Sequence, residues 1–194
     1  MDVVRLFIRH SFHIARFAWR SAFSLAVSRL NHMRLLMAGV ELGEGFVSSG
    51  WIVIRIHPSA SVRIGRNFRV NSGYSVNVVG SAQRVCIFVG RNARLDIGDD
   101  VGISNTVVVC MNQIEIGSGT LVGGGSTLID SDLHVLPLGT LETATKSRPI
   151  RIEHNVFLGA HAIVLKGVVI GAQTVVGAGS VVRRSLPSGS VFTC

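Results

Sequence analysis

The chain carries a hydrophobic repeat with a period of six residues. From residue 152 onward an aliphatic side chain returns at each sixth position, at Ile152, Leu158, Val164, Ile170, Val176 and Val182. Shorter runs with this spacing come earlier, and the register slips between them: Ile56 and Val62; Ile64, Val70 and Val76; Ile97, Ile103 and Val109; Ile116, Val122 and Leu128. Such a period fits neither an α-helix nor a regularly alternating strand. It predicts short strands joined by tight corners, three to a coil of about 18 residues, with successive coils paired as parallel strands.

The N-terminal segment follows a different pattern. Residues 2–37 contain neither proline nor glycine, which favours a helix. On a helix of 3.6 residues per turn, the side chains of Arg5, Arg9, His13, Arg16 and Arg20 fall within an arc of about 80°, and apolar residues cover the rest. Two interpretations stay open, and they can coexist: the apolar arc packs on the domain or on another subunit, or residues 2–37 make a peripheral membrane contact. We therefore divide the chain into an N-terminal amphipathic helical segment at 1–45 and a β-helix domain at 46–194.

Composition agrees with a slender, regular structure and limits the partners and the cellular location to be considered. Hydrophobic residues make up 47% of the chain, aromatic residues only 6%, and there are 22 glycines. Most of the net charge of +8 lies in the helical segment, so it does not argue for nucleic acid. No uncharged apolar run reaches the roughly 18–20 residues of a membrane span. Arginines interrupt the apolar stretch at the N-terminus, which is not typical of a secretory signal peptide. Three cysteines without paired spacing fit reduced thiols. We expect a cytoplasmic protein, with the inner membrane face as a possible peripheral location.

The C-terminal repeats carry a resemblance to a known family. The stretches "NVFLGA" (155–160), "VLKGVVIG" (164–171) and "GAGSVV" (177–182), followed by a basic pair and "LP", match in order and spacing. They resemble the hexapeptide-repeat acyltransferases, and within them the maltose, galactoside and polysaccharide O-acetyltransferases. The resemblance covers about residues 50–194 and is tightest over 149–191. It implies that the predicted coil winds to the left. We therefore expect an all-β fold, a left-handed parallel β-helix, preceded by the N-terminal α-helical segment predicted above. The resemblance also implies a homotrimer with active sites between neighbours, and direct transfer from acetyl-CoA.

The repeat breaks between Leu128 and Ile150, where an excursion loop at 133–149 leaves the predicted coils. In the resembled family the histidine at the root of this loop is the general base, and His134 in "DSDLH" takes that place. Imidazole suits proton abstraction from a hydroxyl near neutral pH. Asp132, or alternatively Asp130, could orient the imidazole as the carboxylate of a serine-hydrolase triad does. Both aspartates fit a turn equally well.

The resemblance also indicates where acetyl-CoA binds. Main-chain groups at Ala160 and Ala178 would meet the pantetheine arm, and an amide near Ala160 could donate to the thioester oxygen. Arg183 and Arg184 follow "GAGSVV" and could bind the coenzyme's phosphates, with Lys166 a weaker candidate. Small residues and a solvated basic face are also ordinary features of such repeats. No group of residues has metal-ligand spacing, so we predict no metal.

These features predict an O-acetyltransferase that acts on a hydroxyl of a sugar, or of a polysaccharide or lipid-linked glycan precursor. Asn105 and Asn112 are weak candidates for contacts with the acceptor. An alternative within the fold is N-acetylation of an amino-sugar nucleotide, where a free amine depends less on a base. A second alternative, from another class, is a non-enzymatic β-helix scaffold subunit.

Overall fold

The structure is a computed structural model that describes residues 23–80, 82–134 and 146–193. Its described residues hold one helix, α1, at residues 23–37, and nineteen short strands. In chain order the strands are β1 Glu41–Leu42, β2 Val47–Ser49, β3 Val53–Ile56, β4 Ser61–Ile64, β5 Arg69–Asn71, β6 Cys86–Val89, β7 Arg94–Ile97, β8 Gly102–Ser104, β9 Val107–Cys110, β10 Gln113–Ile116, β11 Leu121–Val122, β12 Thr127–Ile129, β13 Ile150–Ile152, β14 Phe157–Leu158, β15 Ile163–Leu165, β16 Val169–Ile170, β17 Val175–Val176, β18 Val181–Val182 and β19 Val191–Phe192.

The strands form three parallel sheets, which are the three sides of a prism. Sheet A has the order β1-β4-β7-β10-β13-β16, sheet B the order β2-β5-β8-β11-β14-β17-β19, and sheet C the order β3-β6-β9-β12-β15-β18. Each strand therefore pairs with the strand one coil later, and the chain turns from A to B to C within each coil. The predicted three-sided parallel coil is confirmed.

Aliphatic side chains stack down the inside of each sheet. In sheet A, for example, Ile64, Ile97, Ile116 and Ile152 lie in register and are at most 3% exposed. The period of six is confirmed as the inward repeat over most of the chain, but two predicted members do not point inward. Val108 fills the core of coil three, so its neighbour Val109 faces outward, and Val76 is 39% exposed in an insertion. Both differences arise where the spacing departs from six. Val108 follows Ile103 by five residues, and the loss of one residue turns the next side chain to the other face, whereas Val76 lies in an insertion.

Helix α1 covers the N-terminal end of the prism. Its buried side bears Val27, Ser28, Asn31 and Leu35. The Asn31 amide donates to Ser48 Oγ at 3.0 Å and to the Gly50 carbonyl at 2.9 Å, so this side packs on the first coil. The opposite side exposes apolar residues: Phe23, Leu25, Leu30, Met33, Leu36 and Met37. The predicted basic arc, Arg5 to Arg20, lies outside the described residues.

The first strand, Glu41–Leu42, pairs with β4 and so begins the prism a few residues before the predicted boundary at 46. Within the described ranges, no helix is both long enough and apolar enough to cross a membrane.

An insertion between β5 and β6 runs along the edge where sheet B turns into sheet C. The fully buried Asn105 holds it: the amide donates to the carbonyls of Asn77 (2.8 Å) and Val79 (2.9 Å), and Gly73 N–H donates to its Oδ1 (2.7 Å). Gly124 permits this close approach, since a Cβ there would lie 2.4 Å from the Val79 oxygen. Asn105, predicted as a candidate for an acceptor contact, thus supports the insertion between β5 and β6.

Candidate active site

The second excursion leaves the prism where sheet C turns into sheet A, an edge we call the CA edge. Ser131 and Ser147 form an antiparallel bridge, Arg148 N–H donates to the Asp130 carbonyl at 2.9 Å, and Asp132 N–H donates to the Lys146 carbonyl at 3.1 Å. The chain therefore departs and returns as a short antiparallel pair, the loop root. His134 projects two residues beyond Asp132 and is exposed, while residues 135–145 of the predicted loop 133–149 lie outside the described residues.

Asp130 anchors this root to the prism. Its carboxylate is fully buried and accepts backbone N–H groups from Met111 at 2.7 Å and Asn112 at 2.8 Å, one on each oxygen. The neighbouring Cys110 thiol is also buried, and desolvation together with the Asp130 charge raises its pKa to about 12. Asp130 thus supports the corner of the preceding coil, and neither of its oxygens is directed to His134.

Asp132 lies on the same side of the root and pairs with Lys166, which follows β15 on the next coil. Both side chains are mostly shielded from solvent, at 27% and 20% exposure. No residue in the described ranges hydrogen-bonds the imidazole of His134. The structure therefore brings His134, Asp132 and Lys166 to one edge, with the carboxylate bonded to the ammonium group.

The predicted donor residues Ala160 and Ala178 lie at another edge, where sheet B turns into sheet C, which we call the BC edge. Gly123, Gly159 and Gly177 stack beneath them. A Cβ on Gly159 would lie 2.5 Å from the Ala178 nitrogen, so successive corners are in backbone contact. Within the described part of the chain, no carbonyl accepts the Ala160 N–H, although the Ala160 carbonyl accepts Gly179 N–H at 2.8 Å. The BC edge is therefore a smooth wall with a backbone donor available to a ligand.

Arg183 and Arg184 follow β18 and are exposed at the CA edge, two coils beyond the loop root. The predicted residues are thus divided between two edges of sheet C. Five or six residues separate these edges in each coil, a span of about 15–20 Å at the rise of an extended strand. Lys146 and Arg148 also lie at the CA edge and are absent from the predicted site. The basic stretch "KSR" at residues 146–148, where the chain returns to the prism, is the sequence feature that could have identified these two residues.

Comparison with known proteins places this arrangement in a family. A family described as "Hexapeptide repeat of succinyl-transferase" matches residues 149–184. The putative lipopolysaccharide biosynthesis O-acetyl transferase WbbJ of Escherichia coli (strain K12) is 30% identical over 146 residues, which cover 71% of this chain and 69% of WbbJ. This chain belongs to the hexapeptide-repeat acyltransferase family.

Other members of the hexapeptide-repeat family match over different shares of their length. Galactoside O-acetyltransferase of Lactococcus lactis subsp. lactis (strain IL1403) is 34% identical over 104 residues, 54% of this chain, and the match spans half of that relative. Among solved structures, a mutant of AntD, an N-acyltransferase from Bacillus cereus in complex with dTDP-4-amino-4,6-dideoxyglucose and coenzyme A, superimposes with a TM-score of 0.58 at 18% identity, covering 83% of each chain. This likeness shows the fold, the left-handed parallel β-helix of the family.

Proposed function

We propose that the protein is an O-acetyltransferase that moves an acetyl group from acetyl-CoA to a hydroxyl of a sugar or glycan precursor. The observation that carries the proposal is the pair of edges on sheet C. One edge has an imidazole and cations, and the other has small residues and a backbone N–H for which no described residue supplies an acceptor. The names of WbbJ and the galactoside enzyme support acetyl transfer to oxygen. The AntD complex supports coenzyme A as the carrier.

The two edges act together only when two copies of the chain meet. A general base must lie within hydrogen-bond reach of the proton that it removes. In one chain, His134 and the Ala160 backbone stand about 15–20 Å apart across sheet C. A threefold assembly places the CA edge of each chain against the BC edge of the next and closes three equivalent sites. The proposal therefore includes a homotrimer.

The chemistry at such a site needs no covalent enzyme intermediate. His134 takes the proton of the acceptor hydroxyl while its oxygen attacks the thioester carbonyl, and the Ala160 N–H donates to the oxyanion that forms. Collapse of the tetrahedral intermediate breaks the carbon–sulfur bond, and the imidazolium returns the proton to the coenzyme A sulfur. Ala160 and Ala178 hold the pantetheine arm, and Arg183 and Arg184 bind phosphates. Asp132, paired with Lys166, positions His134 by fixing the loop root.

Two measurements test this function. Calorimetry should show saturable binding of coenzyme A, and free thiol should be released from acetyl-CoA in the presence of the right member of a panel of sugars and sugar nucleotides. Product analysis then separates an ester from an amide, which distinguishes O-acetylation from the N-acetylation that the AntD complex makes the second candidate. Absence of any coenzyme A binding would instead favour a scaffold without enzymatic activity.

We also propose a peripheral membrane contact through the helical segment. The outward side of α1 exposes apolar residues, among them Leu25 at 65% and Met37 at 75%. Such a side, preceded in the sequence by five arginine and histidine positions on one arc, fits the interface of an anionic bilayer. Replacing Met33, Leu36 and Met37 by glutamine should abolish co-sedimentation with anionic vesicles, while leaving the packed side of α1 intact. Unchanged co-sedimentation would contradict the contact.

A further inference from the structure

A basic cavity lies at the loop root, beside the histidine. Lys146, Ser147, Arg148 and Lys166 line it, and its volume is about 510 Å³. Ser147 is one half of the antiparallel bridge that fixes the root, and the Asp132 N–H donates to the Lys146 carbonyl at 3.1 Å. His134 follows Asp132 by two residues, which is at most about 7 Å of extended chain. The cavity and the imidazole therefore belong to one small region of the CA edge.

Arg148 is held in place by the corner beneath it. A Cβ on Gly167 would lie 3.0 Å from Arg148 Nε and 3.1 Å from its Cζ, so the guanidinium packs on the bare glycine backbone. The Gly167 N–H donates to the carbonyls of Arg148 at 3.2 Å and Pro149 at 3.1 Å, which ties the two segments together. A side chain at position 167 would displace the guanidinium. This glycine therefore keeps a planar, two-pronged donor at the mouth of the cavity.

Two basic side chains at the cavity, Lys166 and Arg148, differ in whether a carboxylate neutralises them. Asp132 pairs with Lys166. Across the ranges that the structure describes, no carboxylate pairs with Arg148, whose side chain is exposed. A guanidinium can donate two N–H bonds to two oxygens of one phosphate, and a serine hydroxyl can donate a further bond. The chemistry of the cavity thus matches a phosphate or diphosphate ester.

We propose that this cavity binds a phosphate of the acceptor, so that the substrate is a sugar carrying a phosphate or diphosphate ester. The inference rests on the proposed acetyl transfer and names its substrate class. Arg183 and Arg184 lie farther along the same edge and serve the donor's phosphates, whereas Arg148 lies at the root that carries His134. A sugar anchored at Arg148 by its ester presents a ring hydroxyl to the imidazole.

The experiment uses the full-length protein and inorganic pyrophosphate as the probe. Calorimetry measures pyrophosphate binding with coenzyme A at saturation, so that the donor site is already filled. Three variants are compared: Arg148→Gln, Arg148→Lys and the control Arg151→Gln. Arg151 lies three residues later on β13, with its Nε 3.7 Å from Glu115 Oε2. The control substitution Arg151→Gln therefore removes the same charge from an exposed position outside the cavity. Circular dichroism melts verify that each variant is folded.

We expect one pyrophosphate per chain in the presence of coenzyme A. Arg148→Gln should weaken it about tenfold to hundredfold, Arg148→Lys should restore part of the loss, and Arg151→Gln should leave it unchanged. No saturable pyrophosphate binding, or equal binding to Arg148→Gln, overturns the proposal. Loss of pyrophosphate binding once coenzyme A is present, together with weaker coenzyme A binding by Arg148→Gln, assigns the cavity to the donor and also overturns it. Failure of coenzyme A itself to bind is a separate result, which contradicts the proposed function.

Discussion

The two edges of sheet C are built from the same repeat but by different means. At the BC edge, backbone lies on backbone: Gly123, Gly159 and Gly177 stack, and Gly159 N–H donates to the Val176 carbonyl at 2.7 Å. At the CA edge, side chains join successive coils, through the buried Asp130 carboxylate and the Asp132–Lys166 ion pair. One edge forms a smooth surface and the other a polar root. The difference teaches that one repeat can build two chemically distinct edges. In the proposed mechanism the BC edge binds the donor and the CA edge carries the base, so neither edge alone is a complete site.

The largest expected effect comes from removing the proposed base. His134→Ala should lower the rate of acetyl transfer by about 10²–10⁴-fold, with coenzyme A binding unchanged because the BC edge is intact. Steady-state thiol release measures the rate, and calorimetry measures the binding. His154→Ala, at an exposed corner between sheets A and B, is the control and should retain full activity. Near-normal turnover by His134→Ala would remove the imidazole from the mechanism.

The buried carboxylate tests how the CA edge is held. Asp130→Ala leaves the N–H groups of Met111 and Asn112 without their acceptors and should lower the free energy of unfolding by about 1–3 kcal/mol. Urea denaturation followed by circular dichroism gives this value. Asp130→Asn retains one acceptor oxygen and should lose less. Equal stability of both variants and the wild type would show that the root does not depend on this residue.

A bulky side chain tests the smooth wall. Ala178→Phe places a ring on the exposed corner where the pantetheine arm is proposed to lie. A steric conflict of about 1–3 kcal/mol would raise the Kd of coenzyme A by roughly fivefold to 150-fold. Ala178→Ser keeps the corner small and should bind normally. Unchanged affinity of Ala178→Phe would place the arm elsewhere.

The smallest effect concerns thiol reactivity. The thiolate is the reactive form, and the pKa of Cys110 is raised to about 12, so this thiol stays protonated and unreactive in the native protein at pH 8. Mass spectrometry after brief iodoacetamide treatment should find Cys110 unmodified, and it should become modified after Asp130→Ala loosens the corner. Rapid modification of Cys110 in the wild type would contradict the burial of this edge.

Much of the fold was predictable, because inward positions obey a simple period. Within the uninterrupted coils from Ile152 to Val182, each anchor is buried. The run of four apolar residues at β9 hid which side chain faces inward, since Val108 and Val109 are equally hydrophobic. At the site, the position of His134 at the loop root was predictable. The Asp132–Lys166 pair joins residues 34 positions apart and depends on how coils stack, which no local pattern specifies. The support that Gly167 gives to Arg148 depends on the same stacking.

Mixed assembly tests most directly whether each site is shared between two chains. His134→Ala and Ala178→Phe, each with little activity at low acetyl-CoA concentration, are unfolded together and refolded as a mixture. If the CA edge of one chain meets the BC edge of the next, random trimers should regain about a quarter of the wild-type activity, because one pairing in four joins two intact edges. If a single chain supplies the whole site, each chain in the mixture still carries one damaged residue. No recovery above the sum of the separate variants would then contradict the account.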